Sequence, residues 1–154
     1  MIAILATIIL IIDVLSKMIV TKYISLGEEI KVIKNFFYLT NVRNTGAAWS
    51  MFDDNRYLVL VISSLIIIGL IMYIIKNKPS KKVEKLAYGC ILGGALGNYA
   101  NRLINGYVTD FIDFKIFNYD YPIFNLADTF IVFGVIIFII GTWRDNNGNK
   151  SIRK

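Results

Sequence analysis

YLVLVISSLIIIGLIMYII, residues 57–75, carries no charge and no proline over nineteen consecutive positions. A helix needs about 20 mostly apolar residues to cross the hydrocarbon core of a bilayer, so this stretch sets the fold class. Outward from it, three more segments approach the same length. Residues 1–23 are interrupted only by Asp13, Lys17 and Lys22. Residues 86–103 are Gly-rich and uncharged until Arg102, and residues 122–143 hold a single charge, Asp128. The whole composition agrees: 56% of the 154 residues are hydrophobic and 18% charged, with a mean hydropathy of +0.58, more than a soluble domain of this size carries. The expected architecture is a mainly α membrane protein, one domain over 1–154, built as a four-transmembrane-helix bundle.

The first span lacks a basic leading region and a small-residue cleavage site, and it holds Asp13 and Lys17 within its apolar run; it reads as retained and not as a cleaved signal. Orientation comes from the loops. KNKPSKKVEK (76–85) has five lysines and one glutamate, and the tail adds Arg144, Lys150, Arg153 and Lys154. Both therefore belong on the cytoplasmic side, as do both termini, and the loops 24–56 and 104–121 face outward. The net charge of +6 is thus a topology signal, and no nucleic-acid partner is expected. Within the first outer loop, KVIKNFFYLTNVRNTGAAWSMF (31–52) is rich in β-formers with Asn-Thr-Gly as a turn. It predicts a small surface sheet whose Phe36, Phe37, Tyr38, Trp49 and Phe52 suit an interfacial belt.

Chemistry is narrowed by what is missing. The chain has no histidine and one cysteine, Cys90, which removes zinc–histidine sites, Ser-His and Cys-His catalysis, and internal disulfides. No phosphate-cradling loop of the Walker type is present. Ionisable groups inside a span cost about 2.5–3.5 kcal/mol each on insertion scales, so each one is a candidate for function. Asp13 and Lys17, four apart, share a helix face and can pair. In the third span Gly89, Gly93 and Gly97 recur every four residues, with Gly94 beside them, a pattern for close helix packing. Asn98, Asn101 and Arg102 follow near the outer end.

Asp110 comes just after the third span, and Asp128 lies roughly 6–9 Å into the fourth at 1.5 Å per residue. Both carboxylates are then near the outer boundary. Brought together in a partly dry site they cannot both ionise readily, which is the arrangement of an aspartyl protease. By spacing alone a cation site, a helix cap or an unrelated surface acid stay open as readings.

Five ordered blocks carry a resemblance: DVLSK (13–17), RNTGAAWS (43–50), GGALGNYANR (93–102), GYVTDFIDF (106–114) and PIFNLADTF (122–130). Over nearly its whole length the chain resembles the prolipoprotein signal peptidases, or signal peptidase II. The resemblance implies a cofactor-free, metal-free bacterial membrane endopeptidase that cuts a prolipoprotein before its diacylglyceryl-modified cysteine. It puts the catalytic pair on Asp110 and Asp128, and it assigns Asn44, Asn98, Arg102 and Asn125 to substrate binding or to holding that pair. Asp13 and Lys17 match the family's first-span polar pair. The outer β-loop corresponds to its surface cradle, and residues 104–121 to a mobile extracellular helix or flap. Membrane lipids, and cyclic peptide inhibitors such as globomycin, are the other implied partners. One departure stands out: the family pattern GNxxDR reads Gly97-Asn98-Tyr99-Ala100-Asn101-Arg102 here. Asparagine still hydrogen-bonds but cannot neutralise Arg102 or another cation, so a loss of site stability or activity is expected.

Two other classes compete. A small ion or proton transporter would use Asp13, Lys17 and Asp128 as a relay and needs polar groups through the full depth of the bundle. A non-catalytic assembly or lipid-binding subunit explains the glycines but gives Asp110 and Asp128 no reason to share a depth.

Overall fold

The computed structural model describes residues 1–46, 55–116 and 119–151, which form four helices and four strands. Helix α1 spans Ile2–Tyr23, α2 Arg56–Asn77, α3 Lys82–Asn105 and α4 Leu126–Ser151. The uncharged stretch 57–75 is nearly all of α2. Asn55 starts that helix, its side-chain oxygen accepting from the Leu58 N–H at 3.2 Å, which satisfies a donor the first turn cannot. Val59 and Ile67 are its buried residues, Leu70 and Ile74 pack against the cluster of Ala6, Ile67 and Leu92, and most of its other apolar side chains are exposed.

Helix α3 sits in the middle and packs against α1, α2 and α4. Among the described residues α1, α2 and residues 126–144 of α4 are long and apolar enough to cross a membrane by length and composition. Helix α3 falls short of that because its glycines, asparagines and N-terminal lysines replace apolar surface. Protein covers what lipid would otherwise have to. The glycines are what let the neighbours close in. A methyl at Gly93 would lie 2.8 Å from the Ile9 side chain and 2.9 Å from the Ala6 carbonyl on α1, and one at Gly94 would strike the Ala127 carbonyl on α4.

At one end of the bundle lies an antiparallel sheet in the order β1 (Glu29–Ile33), β2 (Phe37–Asn44), β3 (Val108–Ile116) and the two-residue β4 (Tyr119–Asp120). Val20, Ile24 and Phe111 form a buried cluster beneath it with Leu39, Ile112 and Leu126 around them, so the sheet rests on the end of α1 and the beginning of α4. Asn41 stitches the α1 exit to the sheet by donating from Nδ2 to the Ile24 carbonyl at 2.8 Å.

Two expectations change. Within 104–121 there is no separate helix among the described residues: 108–116 is a full strand, because its β-branched and aromatic residues pair along β2, with Val42 opposite Asp110 and Asn44 opposite Val108. The turn of the β1–β2 hairpin is at 34–36, where Asn35 adopts φ 59°, while Asn44-Thr45-Gly46 turns at the end of β2, where the Gly46 N–H donates to the Asn44 side-chain oxygen at 3.1 Å. Helix α4 starts at Leu126 instead of 122, since Pro122 to Phe124 run extended against β3 through a bridge between Phe124 and Ile112. Of the expected aromatic belt, Phe36 is exposed and Phe37 stacks on Phe114 at 5.0 Å. Trp49 and Phe52, and Arg153 and Lys154 of the basic tail, lie outside the described residues.

Candidate active site

Asp128 is the third residue of α4, and its position follows from a local motif. Asn125 and Asp128 form a capping box: the Asn125 side-chain oxygen accepts from the Asp128 N–H at 3.1 Å, and Asp128 Oδ2 accepts from the Asn125 N–H at 3.2 Å. Asp128 is therefore held in the first turn, four residues nearer the helix start than a span beginning at 122 implies. Its other oxygen, Oδ1, accepts from Asn98 Nδ2 at 2.7 Å.

Asp110 arrives from β3. Its Oδ1 accepts from Asn125 Nδ2 at 2.6 Å and its Oδ2 from Asn44 Nδ2 at 2.9 Å. Asn44 is oriented in turn by the Gly46 N–H, which donates to its oxygen at 3.1 Å. Asn125 is fully buried and uses both ends of its amide, the oxygen on the α4 backbone and the NH2 on Asp110. One side chain thus joins the helix carrying one carboxylate to the other carboxylate.

Asn44, Asn98, Arg102, Asp110, Asn125 and Asp128 all line one cavity of about 570 Å³. Arg102 donates from Nη2 to the Gly46 carbonyl at 2.7 Å, and its buried Nε has no partner among the described residues. Asp13, Lys17, Asn101 and the glycines stand behind this wall. Lys17 Nζ is 2.7 Å from Asp13 Oδ2, and Gly97 leaves room for that carboxylate, since a methyl there would come within 2.5 Å of it. Asn101 accepts from the Thr109 N–H at 2.7 Å, tying α3 to the residue before Asp110. Residues 101 and 102 are adjacent and diverge around the helix, so Asn101 bears on the Thr109 contact while Arg102 finds its partner in Gly46.

The apolar wall of the cavity, to which Val132, Phe133 and Ile136 contribute from α4 and Tyr121, Ile123 and Phe124 from the preceding segment, is not among the sequence expectations. A signal existed: 132 and 136 continue the helix face of Asp128 at steps of four.

Burial pushes the Asp110 carboxyl up to about 6; the Asn44 and Asn125 hydrogen bonds pull the other way, while the nearby Asp128 charge adds to the rise. The folded protein then keeps a proton between about pH 4 and 6 that the unfolded chain has released. This group's stabilising share is full below the unfolded value and is lost as pH rises through 6, an upper bound of about 3 kcal/mol. Melting curves of the protein and of Asp110→Asn from pH 4 to 8 should therefore show the parent losing stability relative to the variant as pH rises. A relative gain over that range would contradict the assignment.

Comparison with known proteins adds a family to this geometry. The family model for signal peptidase (SPase) II matches residues 5–144. The chain is 38% identical over 148 residues to the lipoprotein signal peptidase of Anoxybacillus flavithermus, covering 96% of this chain and 88% of the relative. With that of Staphylococcus haemolyticus the identity is 39% over 147 residues, covering 96% and 93%. A bacterial membrane enzyme solved by the in meso method at 2.3 Å resolution superposes with a TM-score of 0.86 at 35% identity, over 96% of this chain and 90% of the other. The ion-transporter reading finds no support among these matches. With both sequence and fold aligned along nearly the full length, this chain belongs to the signal peptidase II family.

Proposed function

We propose that the protein is an aspartyl endopeptidase that removes the signal peptide of bacterial prolipoproteins, cutting before the diacylglyceryl-modified cysteine with Asp110 and Asp128 as the catalytic pair. The observation that carries this reading is the bridging of the two carboxylates' elements by Asn125 in a single cavity. Two acids sharing a buried site favour the state with one proton between them. The ionised member takes a proton from water as its oxygen adds to the scissile carbonyl carbon. The protonated member donates to the carbonyl oxygen, and collapse breaks the C–N bond with proton transfer to the departing amine. The cavity's α4 wall of Val132, Phe133 and Ile136 suits the apolar part of a lipidated substrate. Asn44, Asn98 and Asn125 hold the acids.

In this reading α3 is the fourth span. Its 24 residues reach about 36 Å at 1.5 Å per residue, sufficient for a hydrocarbon core of about 30 Å. The sheet end faces outward, both termini and the 76–85 loop lie in the cytoplasm, and the site sits at the outer face of the cell membrane. A substrate anchored in the outer leaflet by its acyl chains would present its scissile bond at that depth. Membrane lipids flank the bundle, and cyclic peptides such as globomycin would occupy the cavity.

The test is cleavage by the purified protein of a diacylglyceryl-modified prolipoprotein and of its unmodified precursor, with products identified by mass. The expected product begins at the lipidated cysteine, the unmodified precursor stays intact, and EDTA leaves the rate unchanged. Cleavage at another bond, or loss of activity to the chelator, would count against the proposal.

A further inference from the structure

A buried charge pair behind the cavity has no step in that mechanism. Asp13 and Lys17 are 0% and 2% exposed, and well-packed apolar residues often replace such a pair without loss of stability. Each partner, however, reaches the neighbourhood of Asp128 across a helix boundary. Asp13 Oδ1 accepts from the Ala127 N–H at 2.9 Å, capping α4 from outside. Lys17 Nζ donates to Asn98 Oδ1 at 2.8 Å, and Asn98 Nδ2 donates to Asp128 Oδ1 at 2.7 Å. The direction of this chain of bonds is dictated by chemistry. An ammonium offers only donors, so Asn98 must turn its oxygen to Lys17 and its NH2 to Asp128.

The charged groups around Asp128 are Asp13 and Lys17 from α1, Arg102 from α3 and Asp110 from β3; the first turn of α4 adds its own positive end. Of the two cations, Arg102 makes its hydrogen bond to the Gly46 carbonyl, while Lys17 is relayed into the carboxylate. Resting on the catalytic pair assigned above, we infer that Lys17 is a positioning residue which, through Asn98, keeps the pair's single negative charge on Asp128 and leaves the proton with Asp110. Asp13 has two duties, anchoring Lys17 and holding the start of α4. The raised Asp110 carboxyl, at about 6, agrees with its holding a proton to higher pH than an ordinary carboxyl does.

The two members of the ion pair should then move the pH profile in opposite directions, which a merely structural pair would not do. In kcat/KM measured against pH on the full chain in detergent, Lys17→Met should raise the acid limb by about one pH unit or more, because it removes a cation and leaves Asp13 unbalanced. Asp13→Asn should lower that limb, because Lys17 keeps its charge without a counter-ion. Limbs that stay in place, or that move the same way in both variants, would overturn the inference. Should Lys17→Met fail to yield folded protein, Asn98→Ala carries the test: it keeps the ion pair and cuts the relay, so its acid limb should rise, and an unmoved limb overturns the inference equally. Asp128→Asn separates the two proposals. Activity surviving in it defeats the catalytic pair itself, whereas an inactive Asp128→Asn with unmoved limbs in the other variants defeats only the role given to Lys17.

Discussion

Asp110→Asn and Asp128→Asn should each lower the rate of prolipoprotein cleavage by roughly 10²- to 10⁴-fold, the range that a positioned acid or base supplies, with folded protein recovered in both cases. Amide and carboxylate are nearly the same shape, so the cavity should persist. At position 128, however, one amide oxygen cannot replace two carboxylate oxygens. Asn98 Nδ2 and the Asn125 N–H both donate to Asp128 now, and Asn98 cannot turn over because Lys17 holds its oxygen. The variant's oxygen should stay with Asn98 and its NH2 should face the Asn125 N–H, a lost cap bond worth about 1 kcal/mol. At position 110 the conflict is similar, since Asn44 and Asn125 both present NH2 groups. Single-turnover cleavage with a melting curve on each sample checks both halves of the expectation. Near-normal turnover in either variant would remove that aspartate from the mechanism.

Gly94→Leu should be the most damaging substitution outside the cavity. Even a methyl at Gly94 meets the Ala127 carbonyl and comes within 2.7 Å of Ile131 Cγ1, and the obstruction at Ala127 is backbone, which cannot rotate away. Helix α4 would have to shift exactly where it carries Asp128, the next residue. Overpacking of this kind costs about 1–3 kcal/mol and sometimes more, and it should also lower turnover by displacing Asp128 from Asn98 and Asn125. The comparison is Gly69→Leu on α2, where nothing lies within 4 Å of an added Cβ. That variant should melt and cleave like the parent. Equal melting temperatures for the two variants would show that the α3–α4 contact is looser than described.

Much of this molecule is legible one segment at a time. The lengths of the apolar runs mark α1, α2 and α4, and the glycine spacing marks α3 as the helix that others approach. Asn125 and Asp128 read as a capping box at their three-residue interval once Pro122 is taken as a stop. Strand β3 is harder. Val108, Thr109, Asp110 and Phe111 are all buried, so the period-two alternation that identifies a half-exposed strand is absent. It lies above the bundle on one side and the cavity wall covers the other. Likewise the α4 wall of the cavity is apolar on a helix that is apolar nearly all round, so only the four-residue step from Asp128 to Val132 and Ile136, and no polar–apolar alternation, marks the residues facing the site.

By itself the sequence determined properties that belong to single segments: which runs are long and apolar enough to leave water, where along the chain each charge falls, and which side-chain chemistries are available when histidine is absent. The ordered blocks added the family. Only the tertiary structure decided who partners whom: Asn125 with Asp110, Asn101 with the Thr109 backbone, and Asp13 with the Ala127 N–H, 114 positions away. The reason is physical. Hydropathy and periodicity state that a group must be buried or satisfied, but a hydrogen bond is satisfied by any correctly placed partner, and that placement exists only after the helices have closed on their glycines and the sheet has set Asp110 above them.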